Sequence, residues 1–386
     1  MNIKLPLITV LLIVANQLSG QGNYQWINNE DSVKIYHGSE KYQVKTFKQD
    51  FKKKKPKNII LMIGDGMGVS HVFAGLTANG GHLFLENFKH IGFSKTQSED
   101  DYITDSAAGG TALSSGEKTY NGAIAMVVNA KGDTVAVKTV LEMAEEKGLS
   151  TGLVATSSIT HSTPASFVAH QTSRAFDEEI AEDIVRSDID VFIGGGYRFF
   201  SERKDGLDLI IDLKQKGYQV LQEMDEIAKV KSGRLAGLTV YESPEPFPIR
   251  KMDLPLSTET ALNILDNNKK GLFLMVEGSQ IDWGAHQNNT VYVVQEMLDF
   301  DKAIGKALEF ASKDGETLII VTADHETGGL AIINGDMKTG IIKGGYATGG
   351  HTGVMVPVFA YGPGAEQFTG IMENTDIGKK IISLIK

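Results

Sequence analysis

From Asn58 to the carboxyl end, short runs of apolar and β-branched residues alternate with longer stretches whose apolar residues recur at helical spacing. A run that is apolar at every position is buried on both faces, and such strands belong in a parallel sheet covered by helices. The pattern predicts strands at 58–63, 151–156, 190–193, 272–276, 317–322 and 357–360. Between them, Val137, Val140, Leu141 and Ala144 share a helical face that Gly148 ends. Val294, Leu298, Ile304, Leu308 and Ala311 mark a longer amphipathic helix, and Ile377, Ile381 and Ile385 mark a closing one. Residues 207–216 and 221–230 also read as helical, and no internal repeat is visible. The fold class expected is α/β, a three-layer sandwich with a central, mostly parallel sheet and helices on both faces.

The 386 residues carry 38 basic and 48 acidic side chains, a net charge of −10, which argues against a nucleic-acid partner. The chain has no cysteine, so any metal must be held by histidine, carboxylate or hydroxyl groups. Near the start, Lys4 precedes an apolar run at 5–15 and a small, polar segment at 16–21. That run is too short to span a bilayer and fits a secretory leader. The expected division is a signal peptide at 1–20, a polar, irregular N-terminal extension at 21–56 with a solvated lysine run at 52–55, and one folded domain at 57–386. The protein is then exported, periplasmic or secreted, with no stable membrane insertion.

In open parallel sheets, ligands bind beyond the carboxyl ends of the strands. The polar residues just past the expected strands are Asp65, the 161–163 segment, Glu277 with Asp282 and His286, and Asp324 with His325. Asp324-His325, directly after an apolar strand, suits a zinc ion that takes N and O donors, against the plainer reading of a solvated loop. Asp282 and His286 are four apart, so one helical turn sets them on one face as chelating donors or as an ordinary surface pair. His351, among glycines, is weak evidence alone. Gly64-Asp65-Gly66-Met67-Gly68 lacks the spacing of a dinucleotide loop, and Asp65 reads better as a ligand at a tight turn. Small residues after Ser106 favour a helix starting there, where free N–H groups can hold a phosphoryl oxygen. A simple helix cap at Asp105 or Ser106 is the competing reading.

Taken together, these residues resemble the alkaline phosphatases. The likeness runs from about residue 58 to the carboxyl end. It rests on Asp105-Ser106-Ala107, Asp324-His325, Asp282 through His286, His351, the segments 160–164 and 170–174, and 118–122. It implies that Ser106 is a covalent nucleophile and that Arg174 grips two phosphate oxygens. It also implies two zinc ions, one held by Asp282, His286 and His351 and the other by Asp65, Asp324 and His325. Asp65 would bridge to one magnesium ion shared with Thr163 and Glu277. His161 and Trp283 stand where many bacterial members have Asp and Lys, positions related to the magnesium shell and to substrate contacts. The chain would hydrolyse small phosphate monoesters through a phosphoserine at neutral to alkaline pH, with a homodimer implied by the resemblance only. The stretch between His325 and His351 is too short for a large lid, so open access is expected. The alternatives are a related phosphodiesterase or sulfatase on the same scaffold and a non-catalytic phosphate or metal scavenger. Arg174 favours a monoester, whose dianion leaves two oxygens free to grip.

Overall fold

The computed structural model describes residues 30–49, 51 and 55–385. The expected signal peptide at 1–20, and residues 52–54 of the lysine run, lie outside the described residues. The main sheet has ten strands: β1 (Asn58–Gly64), β2 (His90–Lys95), β3 (Ser150–Ser158), β4 (Val191–Gly195), β5 (Tyr218–Leu221), β6 (Arg234–Leu238), β7 (Leu272–Gly278), β8 (Thr317–Thr322), β9 (Val356–Tyr361) and β10 (Gly370–Glu373). Their order across the sheet is β10-β2-β9-β8-β1-β7-β3-β4-β6-β5. All run parallel except β9, which lies antiparallel to both β8 and β2. The fold is therefore the expected α/β sandwich around a mostly parallel sheet.

The central strands are buried at every position because both their faces are covered. Along β1, Ile60 and Met62 enter one core while Ile59, Leu61 and Ile63 enter the other. This is the period of two that a strand imposes on its side chains. The first core is closed by helices Val69–Ala78, Leu254–Leu265 and Thr290–Asp314, the second by Val140–Glu146, Asp177–Arg186, Leu209–Gln215 and Asn374–Ile385. Local chemistry sets the helix ends. Asn289 accepts the Tyr292 N–H at 3.0 Å at the start of Thr290–Asp314, and Gly315 ends it in the left-handed region.

Two sequence expectations need correction. Residues 221–230 do not form one helix: strand β5 ends at Leu221 and only Met224–Ile227 is helical. Pairing of β5 with β6 overrides the helical spacing there. The N-terminal extension is not irregular throughout, since Ile35–His37 pairs antiparallel with Ile341–Gly345 beside Ala331–Asp336. Tyr42 then donates to buried Asp301 at 2.6 Å, and Tyr361 donates to the Lys48 carbonyl at 2.6 Å. The stretch between His325 and His351 is this hairpin, which packs on helix Val69–Ala78.

Candidate active site

Five strands deliver the site. Asp65 follows β1, His161 and Thr163 follow β3, Glu277 ends β7 and leads into Asp282 and His286, and Asp324 and His325 follow β8. His351 arrives from the other direction. Because β9 is antiparallel, the residues that precede it lie at the edge where the parallel strands finish. A two-residue pairing, Glu326–Thr327 with His351–Thr352, fastens His351 beside His325. The turn at Gly66 brings Asp65 round with φ +69°, and a Cβ there would stand 2.7 Å from Thr327 Oγ1 and 3.0 Å from Asp282.

Ser106 opens the helix Ser106–Ser115 and is buried. The residue before it, Asp105, caps the helix, its Oδ1 accepting the Ala108 N–H at 2.9 Å. Cap and candidate nucleophile are thus neighbours rather than alternatives. Ser106 Oγ lies 3.1 Å from His325 Nε2. The second oxygen of Asp105 receives Nη1 of Arg174 at 3.0 Å, and Nη2 of Arg174 lies 3.5 Å from His161 Nε2. The arginine is held on one side and about a third exposed on the other.

Among the described residues, three groups hold donor atoms all within 4.8 Å of one another: Asp282 with His286 and His351, Asp65 with Asp324 and His325, and Asp65 with His161 and Glu277. The first two match the expected zinc sets. The third adds His161 to the expected Asp65 and Glu277, so this histidine is a candidate ligand as well as a neighbour of Arg174. Thr163, expected in that set, keeps its hydroxyl buried without a partner. Trp283 is buried with its ring edge-on to His161 at 6.0 Å, so it walls the site.

The donor chemistry fits divalent cations. Nδ1 of His286 faces the Gly349 carbonyl at 2.7 Å, and Nδ1 of His351 faces the Thr104 carbonyl at 2.8 Å. Carbonyls only accept, so both rings donate from Nδ1 and turn Nε2 inward, where it can bind a cation once it gives up its proton. Thr327 donates to Asp282, which leaves its oxygen to accept from Nδ1 of His325 at 3.2 Å, with the same result. Nε2 of His286 and Nε2 of His351 stand 3.1 Å apart, a contact that needs a proton or a metal cation between them. Both oxygens of Asp65, Oδ2 of Asp324, Oε1 of Glu277 and Nδ1 of His161 are buried without a partner. Buried polar atoms orphaned on this scale are rare, and the carboxylate oxygens among them are acceptors that a cation or water would satisfy.

Electrostatics agree. Burial, then repulsion from Asp324, Asp282 and Glu277, pushes Asp65 well above the usual carboxylate range. Burial pushes Glu277 up to about 8, and burial with repulsion from Asp282 pushes Asp324 up to about 6. Burial and the Arg174 guanidinium hold His161 down at about 3. Burial opposes a charge on His286, but the Asp282 carboxylate outweighs it and raises the ring to about 9. Asp282 moves the other way: the three imidazoles hold it below the usual range despite burial. Crowded acids that cannot all ionise alone are a counter-charge short, and a divalent cation supplies one.

The sequence did not single out Thr327, whose hydroxyl orients Asp282 and His325, and no local signal marks it. Asp105 was visible as part of the serine motif and as a candidate helix cap, yet it also holds Arg174.

A capped serine facing converging carboxylates and imidazoles, at the carboxyl edge of a parallel sheet, defines a metal-binding hydrolase. The family model described as alkaline phosphatase matches residues 56–341 and 340–386. Alkaline phosphatase 4 of Bacillus subtilis (strain 168) is 37% identical over 440 residues, covering 91% of this chain and 94% of that protein. The structure of an alkaline phosphatase from the Antarctic bacterium TAB5 superposes with a TM-score of 0.80 at 42% identity, covering 86% of this chain and 98% of that one. A variant of that relative, with one histidine replaced by aspartate, has magnesium bound in its M3 site and matches equally well, with a TM-score of 0.80 at 42% identity over 86% of this chain and 98% of that one. The chain belongs to the alkaline phosphatase family and is an enzyme, a phosphoric monoester hydrolase. No helix among the described residues is long and apolar enough to cross a membrane.

Proposed function

We propose that this enzyme hydrolyses small phosphate monoesters through a covalent phosphoserine at Ser106, in a site with two zinc ions and one magnesium ion. The observation that carries the reading is the placement of Asp105. One carboxylate caps the Ser106 helix and holds Arg174, so the attacking oxygen and the phosphate grip share one support. Asp282, His286 and His351 would hold one zinc, and Asp65, Asp324 and His325 the other. Asp65, Thr163 and Glu277, with His161 beside them, would hold the magnesium.

Cations bound there supply Lewis acidity and lower the pKa of a nearby hydroxyl. The remaining work belongs to the protein. Arg174 presents two N–H groups to two non-bridging oxygens of a dianion. The N-terminal end of helix Ser106–Ser115 favours the negative charge gathered there. Ser106 Oγ forms a bond to phosphorus as the bond to the alcohol oxygen breaks, and the alcohol leaves with a proton. Water then attacks the phosphoserine, frees inorganic phosphate and restores the hydroxyl. Trp283 and the buried floor limit competing water.

A monoester is favoured over a diester because a diester offers Arg174 one fewer charged oxygen. Rates on a nitrophenyl phosphate and on the bis-ester test this: the monoester should turn over faster, and faster diester turnover rejects it. Export to the periplasm or medium belongs to the same reading, supported by the leader pattern at 5–15; without cysteine, an exported chain needs no oxidation to fold. The homodimer rests on the family alone.

A further inference from the structure

The stretch Lys118-Thr119-Tyr120-Asn121-Gly122 has no part in the chemistry above, yet its last two residues touch both the serine segment and the arginine loop. Oδ1 of Asn121 accepts the backbone N–H of Asp105 at 2.9 Å, and its Nδ2 donates to the Ile103 carbonyl at 2.9 Å. The side-chain amide therefore pairs with the 103–105 backbone as a neighbouring strand would, with one donor and one acceptor. Its own backbone is tied as well, the N–H donating to Asp100 Oδ1 at 2.9 Å. Gly122 works in both directions. Its N–H donates to Asp105 Oδ2 at 3.0 Å, and its carbonyl accepts the Arg174 N–H at 2.7 Å. That Asp105 oxygen is the one that receives the Arg174 guanidinium.

We propose that Asn121 is a positioning residue for Arg174: its paired hydrogen bonds to the 103–105 backbone, continued through Gly122, fix the Asp105 carboxylate that holds the guanidinium. Alternatives to asparagine fail for distinct reasons. Aspartate keeps the acceptor but turns an oxygen toward the Ile103 carbonyl. Glutamine is one methylene too long for both bonds, and alanine has neither group. Gly122 adopts φ +89°, and a Cβ there would meet nothing within 4 Å, so the junction needs the glycine backbone rather than the space.

The inference rests on the phosphate-gripping role proposed for Arg174, and the experiment separates the two. The metal-loaded enzyme is assayed on nitrophenyl phosphate as Asn121→Ala, Arg174→Ala and the double variant. Inhibition by inorganic phosphate, metal content and melting temperature are measured for each. Asn121→Ala should lower kcat/KM about tenfold and weaken phosphate inhibition in step, with metal content unchanged. On the Arg174→Ala background the same change should cost less than about threefold, because the group it positions is gone. Where Asn121→Ala does not fold, Asn121→Asp enters the same cycle with the same expectation. Equal losses on both backgrounds, or no loss in the single variant, overturn the assignment to Asn121. No loss in Arg174→Ala overturns the role of the arginine instead.

Discussion

The Oγ of Ser106 lies 3.1 Å from Nε2 of His325, the same nitrogen that lies 3.3 Å from Asp65 and 3.4 Å from Asp324. Hydroxyl, imidazole and two carboxylates thus point at one small volume, and the position of the serine in that volume makes its chemistry testable.

Ser106→Ala should lower turnover on the order of 10³-fold or more, since the metals and Arg174 alone cannot form the covalent intermediate. Zinc content and melting temperature should hold. Acid-quenched protein should carry phosphate on the 106 peptide in wild type and none in the variant, as read by mass spectrometry.

Arg174→Lys keeps the charge but loses the fork. Charge-assisted hydrogen bonds are worth about 1.5–3 kcal/mol, so kcat/KM should fall roughly 10- to 100-fold. Competitive inhibition by phosphate should weaken with it. An unchanged inhibition constant would show that the guanidinium does not touch the phosphate.

Chelation should make stability depend on pH between about 7 and 9. Glu277, with its folded pKa raised from 4.5 to about 8, binds a proton in the native state that the unfolded chain has released. His286, raised from 6.5 to about 9, does the same. In both cases the folded state holds the extra proton, so stability is present at the lower pH and lost as pH rises through the folded value. His161 and His325 are held down by burial and are neutral, folded or unfolded, across that window. Metal-free protein should lose on the order of 2 kcal/mol from pH 7 to 9, seen in urea melts. Metal-loaded protein should stay flat over that range.

His161→Asp should shift the third ligand group toward magnesium. It replaces an imidazole with a hard oxygen donor beside Asp65 and Glu277, and magnesium prefers oxygen. Elemental analysis after dialysis should find more retained magnesium than in wild type. Retention no better than wild type would remove His161 from that group.

How far the sequence foretells this architecture depends on burial. Strands β1, β7 and β8 carry long apolar runs because both faces are covered, and β3, equally buried, keeps a short one at Leu153–Ala155 among serines and threonines, so these strands are readable without structure. Strand β2 alternates exposed and buried residues, and β10 is largely exposed at the sheet edge, so neither produces a continuous run. The candidate ligands carried by parallel strands are legible because they follow the carboxyl ends of strands with an apolar run. His351 is weak evidence on its own and is legible only through the resemblance, because it precedes the one strand that runs the other way. For His161 the resemblance pointed to the magnesium shell, but its closeness to Asp65 and Glu277 is visible only in the structure.

Strand β9 enters the sheet backwards, and with it comes the last donor, almost 290 residues beyond the first: Asp65 to His351. No amino-terminal fragment that stops short of His351 can bring all of these donors together. On the proposed site, activity therefore waits for the arrival of His351, and a copy cut short before it stays inert toward every phosphate ester it meets.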